Sequence, residues 1–518
     1  MKFLVLTILL FLALDITAQD KEITGIVFVD KNMDGLFNKG DKPLKGVAVS
    51  NQREVVLTDK KGRYTLPLLE NKFVYLVKPS NYQVKLNDQY LPESHYHYHP
   101  KGSLSNLKYK GVEATGVAPK RIDFPVYPSK ETKPFKLLAI GDPQTPNDET
   151  LNYFRDGSVN DMIRHHADLY IALGDIADDN LNIYKRHKEI MSTLKIPGYH
   201  VPGNHDMNYR SPDNISKNET FKKEYGPDYY SFNYGKVHFI ILNNIHYQGW
   251  NYEKSKRGKY TCGIDKAQLK WLKNDLELVS DDKLVVVNSH IPFIEHFADK
   301  EVIKQLHDLL KSKRKVLTLS GHTHTVNTYW NNAESYWNYD TPHEGVITGA
   351  SCGSWYTKPK NENGIPVSTC MDGSPKGYFL FEFSGIHYKY KFIPVHYSDE
   401  FQIRISTPLG NIKKEDLSNS WIVANWFTGK PDQKVYATID NGEKLEMENF
   451  TGKDPFMEAT IDLRKSHKSW SPKTAETNHL WRCKIPDNLS PGCYRITVTA
   501  ITEDGTKFQS FKIIEISE

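Results

Sequence analysis

Five short polar motifs, each close behind an apolar run, limit the folds open to this chain more than anything else in its sequence. They are GDPQ at 141–144, GDIADD at 174–179, GNHD at 203–206, NSH at 288–290 and GHTH at 321–324. Four of them directly follow strand-like segments: KLLAI, DLYIAL, LVVVNS and KVLTLS. In α/β sheets the ligand crevice lies at the carboxyl ends of the strands, so donors far apart in sequence can converge on one edge. Strands alternating with helical stretches over 135–395 argue for an α/β domain. One helix is well marked. Asp265 can cap it, Gln268 completes a capping-box-like start, and Leu269, Leu272, Leu276 and Val279 share one face at helical spacing.

The motifs offer Asp, Asn, Gln and His, which are oxygen and imidazole donors, and no sulfur. Glycines ahead of the donors let the chain turn tightly just past a strand. His322 and His324 are two apart, so on a β-like segment both rings point to one side. Singly the motifs are weak, since a Gly-Asp pair is usually a turn. As an ordered set they resemble the calcineurin-like metallophosphoesterases, whose pattern is D-x-H, GDxxD, GNHD or GNHE, a strand-end His and GHxH. The resemblance covers about half of the chain. It implies an α/β/β/α sandwich with a two-metal site at its edge. By matching positions, Asp175 would bridge both ions. Asp142, Gln144 and His324 would complete one shell, and Asn204, His290 and His322 the other. His205 would be catalytic and not a ligand, contacting the phosphoryl oxygen or protonating the leaving group.

Gln144 departs from the pattern, standing where the family usually has His. An amide oxygen suits a harder ion such as Mn²⁺ better than it suits zinc or iron, which stay as alternatives. The same substitution is similar to that of a subgroup acting on pyrophosphate links. The expected activity is therefore phosphoester hydrolysis, with phosphodiesters or diphosphates ahead of monoesters. Two cations about 3.5–4 Å apart would clamp the phosphoryl group and bridge a hydroxide, giving direct transfer to water.

The rest of the chain divides into further parts. Residues 1–19 read as a signal peptide, with Lys2, a short apolar run and Ala18. Export to the periplasm, the cell surface or the medium follows as an expectation. Residues 20–128 read as a small all-β sandwich resembling Cna-B or SdrD-type domains, 129–396 as the catalytic domain, and 397–518 as a second small all-β domain. The stretch from Pro125 to Pro134 has the composition of a linker. Residues 30–41 keep the spacing of a calcium loop, with Asp30, Asn32, Asp34, Asn38 and Asp41 as candidate ligands and Asp where the twelfth position usually has Glu; a plain Asx-rich turn is the other reading. His95, His97 and His99 alternate, which reads as an edge strand ended by Pro100. Arg210, His246 and Trp250 are candidate substrate contacts. The tryptophans Trp421, Trp426, Trp470 and Trp481 read as a β-sandwich core. Among the five cysteines, Cys483 with Cys493 and Cys352 with Cys370 are the pairs a disulfide could join, and free buried thiols are the other reading.

Composition closes off other classes. With 39% apolar and 25% charged residues over 518, the chain has material for real cores. The formal charge is 67 − 63 = +4, too even to suggest a nucleic-acid binder. After the leader no run is apolar enough to span a bilayer. The expected partner is a phosphate-ester small molecule or an envelope component. The rival reading is an exported surface or carbohydrate-binding protein whose metal site is vestigial.

Overall fold

The structure is a computed structural model describing residues 21–131, 134–464 and 472–518. The leader read at 1–19 and Trp470 lie outside the described residues. Two sheets form the centre. The first has the order Gly198–His200, Leu169–Ala172, Phe135–Ile140, Gly377–Ser384 and His387–Pro394. Its first three strands run parallel, Gly377–Ser384 runs antiparallel to them, and His387–Pro394 pairs antiparallel with that strand. The second has the order Tyr230–Tyr234, Val237–Ile241, Leu284–Asn288, Val316–Ser320, His343–Thr348 and Val326–Asn331, with the middle strands parallel.

The two-residue period of a strand sorts the side chains into layers. Leu137, Ala139, Leu169 and Ile171 meet Val286, Leu317 and Leu319 between the sheets. Their neighbours Leu138, Ile140, Tyr170 and Ala172 instead pack with Leu151, Phe154 and Tyr184 of the outer helical layer. On the opposite side Ile240, Val285 and Val287 pack with Trp271, Leu272 and Leu306. The layers are α/β/β/α, as the motif set implies. Strands buried on both faces explain why these segments read as unbroken apolar runs.

The helix Lys266–Glu277 starts where expected, with the Asp265 side chain accepting from the Gln268 N–H. The capping box does not close. The Gln268 amide instead bonds the Asn243 backbone through both its oxygen and its nitrogen. A buried tertiary partner that satisfies both ends of the amide replaces the local one. Trp271, fully buried on the same face, carries more of the packing than the leucines alone suggest.

Two all-β units flank the sandwich. In the first, a sheet built on Glu22–Val29 faces one built on Ala48–Ser50 and Lys72–Leu76, enclosing Val27, Val49, Leu66 and Val74. The start of the stretch Pro125 to Pro134, with its linker composition, instead belongs to a strand, Phe124–Pro128, that pairs in parallel with Val27, Phe28 and Val29. Phe124 and Val126 are buried, and that alternation outweighs the prolines. The strand His95–Tyr98 lies at a sheet edge as expected, with His97 stacked 4.0 Å from Phe73. In the second unit, Trp426 and Trp481 lie in the core with Ile422 and Val498. All five cysteines are free. Cys483 and Cys493 sit on strands of different sheets, so no hairpin pairs them. No helix among the described residues is long and apolar enough to cross a membrane.

Candidate metal centre

All five motifs sit just past the carboxyl ends of strands. Asp142 and Gln144 follow Phe135–Ile140, Asp175 follows Leu169–Ala172, and Asn204 follows Gly198–His200. From the other sheet, His290 follows Leu284–Asn288, and His322 and His324 follow Val316–Ser320. The site therefore straddles the two sheets, and hydrogen bonds join them there. His290 Nδ1 faces the Leu173 carbonyl at 2.8 Å, and Asp142 Oδ2 accepts from the His322 N–H at 2.8 Å. His290 Nε2 lies 3.1 Å from Asn204 Oδ1, 3.2 Å from His322 Nδ1 and 3.3 Å from Asp175 Oδ2. Asp175, His290 and His322 present ligand atoms all within 4.8 Å of one another. His324 Nε2 stands 3.9 Å from Asp142 Oδ1.

The backbone bears the marks of a constrained site. Asp142, Gln144, Asp175, His322 and His324 all have positive φ, between 39° and 75°. Non-glycine residues in this region cost on the order of 1–3 kcal/mol each and collect at functional sites. The glycines beside them serve two needs. Gly174 has a φ of 92°, a turn that favours glycine. At Gly203 and Gly321 the need is room, since an added Cβ would lie 2.2 Å from Asp175 Oδ1 and 2.4 Å from Asp142 Oδ2. The tight-turn reading thus holds at Gly174 and gives way to close carboxylate approach at the other two.

The residues fit a divalent cation. Gln144 Oε1 is buried with no hydrogen-bond partner. Carbonyls take Nδ1 of both His290 and His324, the latter through Gly353 at 2.6 Å, which turns each Nε2 toward the carboxylates. Burial pushes Asp142 up to about 8, with Asp175 adding to it against the pull of His290. Burial would raise Asp175 too, but the His290 and His205 imidazoles and the His205 N–H hold it below the usual carboxylate range. Burial lowers His322 to about 3 and His324 to about 4, leaving neutral rings suited to a metal. Oxygen and imidazole donors without sulfur suit hard or borderline ions.

His205 lies beside this set. Its N–H donates to Asp175 Oδ1 at 2.8 Å, and its Nδ1 is 3.2 Å from Asp178 and 3.1 Å from Asp179. Burial alone would lower this imidazole, but Asp175, Asp179 and Asp178 push it up to about 9. Three further residues were not singled out from sequence. Asp178 and Asp179 lie within a quoted motif, and their spacing after Asp175 was the available signal. Arg257 had none. Its Nη1 bonds both carboxylate oxygens of Asp179 at 2.9 Å, and its Nη2 donates to the Asn204 carbonyl at 2.8 Å. Asp206 ties two motif loops together by accepting from the Ile176, Ala177 and Gly203 N–H groups.

The candidate substrate contacts separate. Arg210 is exposed, 5.6 Å over the Trp250 ring, and that ring lies 6.0 Å from Tyr209. Arg257 and Lys108 also lie over Tyr209, so this aromatic group adjoins the His205 side of the site. His246 is exposed on a two-stranded sheet opposite Thr261. In the loop at 30–41 the carboxylates turn inward. Asp30 accepts from the Met33 and Gly35 N–H groups, Asp34 from the Asn32 and Asn38 amides, and Asp41 from the Asn38 and Lys31 N–H groups.

Comparison with known proteins agrees with the motif set. The family model for calcineurin-like phosphoesterase matches residues 135–326. Models for the N terminal and the C terminal of calcineurin-like phosphoesterase match 31–113 and 346–508. The chain belongs to the calcineurin-like phosphoesterases. One curated relative is a probable glycerophosphodiester phosphodiesterase GpdQ of Arcobacter nitrofigilis, 31% identical over 178 residues. That match takes in 33% of this chain and 61% of the relative, so the chain spans about three fifths of that protein's length. Among solved structures, a dimetal phosphatase from Danio rerio is 16% identical, with a TM-score of 0.36 over 51% of this chain and 98% of that one. A purple acid phosphatase from yellow lupin is 12% identical, with a TM-score of 0.34 over 67% of this chain and 66% of that one.

Proposed function

We propose that this chain is a hydrolase of phosphodiesters or diphosphates that works with two divalent cations, manganese first. The observation that carries the reading is the convergence of seven donors from five strand ends, five of them on left-handed backbone, around an unpartnered Gln144 Oε1. Asp175 would be shared, with Asp142, Gln144 and His324 on one ion and Asn204, His290 and His322 on the other. When bound, such a pair supplies charge neutralisation at phosphorus and activates water. The chain's own residues do the rest. Asp178 and Asp179 hold Nδ1 of His205, which leaves Nε2 to deliver a proton to the leaving oxygen. Arg257 fixes Asp179 and the Asn204 backbone, and so fixes the angle of the ring. The rim cations Lys108 and Arg210, with Trp250, would meet the remainder of an anionic substrate. The preference for a diester rests on Gln144 and on the name of the curated relative, a phosphodiesterase.

The test is hydrolysis of bis-p-nitrophenyl phosphate beside p-nitrophenyl phosphate by metal-stripped protein refilled with Mn²⁺, with Asp175→Asn as blank. Diester turnover that vanishes in the blank supports the reading. Turnover of the monoester alone would reverse the substrate preference. Full activity in Asp175→Asn would remove the site assignment.

A further inference from the structure

His324 has a left-handed conformation, φ 53°, held by a loop of the sandwich that the C-terminal unit clamps in turn. The His324 carbonyl accepts from the Met371 N–H at 3.0 Å. Two residues on, the Val326 N–H donates to Asp372 Oδ2 at 2.8 Å. Asp372 is fully buried and is itself clamped by one sheet of the C-terminal unit. His479 Nε2, on the strand Glu476–Lys484, lies 3.2 Å from Asp372 Oδ2 and 3.1 Å from the Val326 carbonyl. His479 Nδ1 faces Asn425 Oδ1 at 2.8 Å, and the Asn425 amide donates to the Asp372 carbonyl at 2.8 Å and to Asp454 Oδ2 at 2.6 Å. All four side chains are no more than 1% exposed. The contact is close at Gly373, where an added Cβ would lie 2.1 Å from Asp454 Oδ2. The same loop, 350–376, turns its Gly353 carbonyl onto His324 Nδ1 and stacks Trp355 on the His324 ring at 4.0 Å.

We propose that His479, Asn425 and Asp372 are positioning residues of the metal centre, through which one C-terminal sheet holds His324 ready for its ion. Four buried polar side chains meeting at one seam are costly to assemble and give a single geometry when fully paired. A left-handed, non-glycine ligand keeps its conformation only while its surroundings over-determine it. Here those surroundings include side chains from strands that carry no ligand. The C-terminal unit thereby acts in metal binding. The inference rests on the two-metal reading above.

The test uses the full chain, stripped and titrated with Mn²⁺. Free ion is read by electron paramagnetic resonance and bound ion by elemental analysis. The variants are His479→Ala, Asn425→Ala and the more conservative His479→Gln, with His324→Ala and His290→Ala marking the two sites. Loss of an orienting partner typically costs about 10–100-fold in metal affinity. His479→Ala and Asn425→Ala should weaken the site that His324→Ala removes by that factor and leave the site marked by His290→Ala unchanged. His479→Gln, which keeps a donor toward Asp372, should fall between and stands in if the alanine variant does not fold. Unaltered affinity at both sites in folded His479→Gln and Asn425→Ala would overturn the proposal. An unaltered chain that takes up fewer than two Mn²⁺ would instead remove the two-metal reading on which it rests.

Discussion

Arg257 stands one residue removed from His205, the proposed proton donor, and its worth can be separated from that ring's. It bridges Asp179, which holds His205 Nδ1, and the carbonyl of Asn204. Arg257→Ala frees both at once. We expect kcat on a diester to fall about tenfold, the lower end of what an orienting partner contributes. His205→Ala should cost more, about 10²–10⁴-fold, the range for a general acid. Arg257→Lys keeps the charge but not the fork, so it should rescue little. Bound Mn²⁺ should hold in all three; loss of metal in His205→Ala would make that ring a ligand. The proposed metal donors are legible in the sequence because each is spelled by a local motif. Arg257 is not, because its partner Asp179 lies 78 positions away and nothing near Arg257 marks it.

At the scale of the element, every donor is placed by a strand that ends and a loop that turns at once. That arrangement is intolerant of a single methyl group. A Cβ on Gly203 would lie 2.1 Å from the Asp175 backbone nitrogen as well as 2.2 Å from its carboxylate. Both contacts are far inside van der Waals range, and backbone atoms cannot rotate away. Gly203→Ala should therefore lower Mn²⁺ affinity by at least about tenfold, read by the same titration, while far-ultraviolet circular dichroism stays native. An unaltered titration would show that the two loops can part without harm to the site. The strands were legible because burial on both faces writes them as apolar runs, and the Lys266–Glu277 helix because its cap and its stripe agree. The strand Phe124–Pro128 was not, because two prolines in five residues hide an alternation that matters only beside Val27, Phe28 and Val29.

At the scale of the whole molecule, the N-terminal sheets are joined to the sandwich by buried charge, which no local pattern announces. Asp228 accepts from Gln52 at 3.3 Å and Asn243 at 3.0 Å. Glu219 accepts from Asn71 at 2.9 Å and Ser103 at 2.6 Å, and it pairs with His99 at 3.0 Å. Burial alone would raise both acids. Lys222, Lys72 and Lys217 around Asp228, and Lys222, Ser103 and Asn71 around Glu219, hold them below the ordinary carboxylate range instead. A carboxyl depressed on folding adds stability that is fully present above its unfolded pKa, about 4, and is lost as pH falls through the folded value. Acid should therefore weaken this seam below about pH 5. Asp228→Asn removes the buried charge that these lysines face, while Lys222 keeps its ion pair with Glu219 at 3.3 Å, so the loss should be about 1–3 kcal/mol, the range for a buried polar group deprived of its partner. The gap in urea-unfolding free energy between the unaltered chain and Asp228→Asn, both metal-free, should be widest near pH 6. It should narrow steadily toward pH 3, because there the unfolded chain takes up a proton that the depressed folded carboxyl does not, which removes part of the stability the variant lacks. A gap that stays constant over that range would mean the lysines find other partners, and that the seam is held by packing of Phe73, Tyr75, Tyr229 and Trp271 and not by its charges.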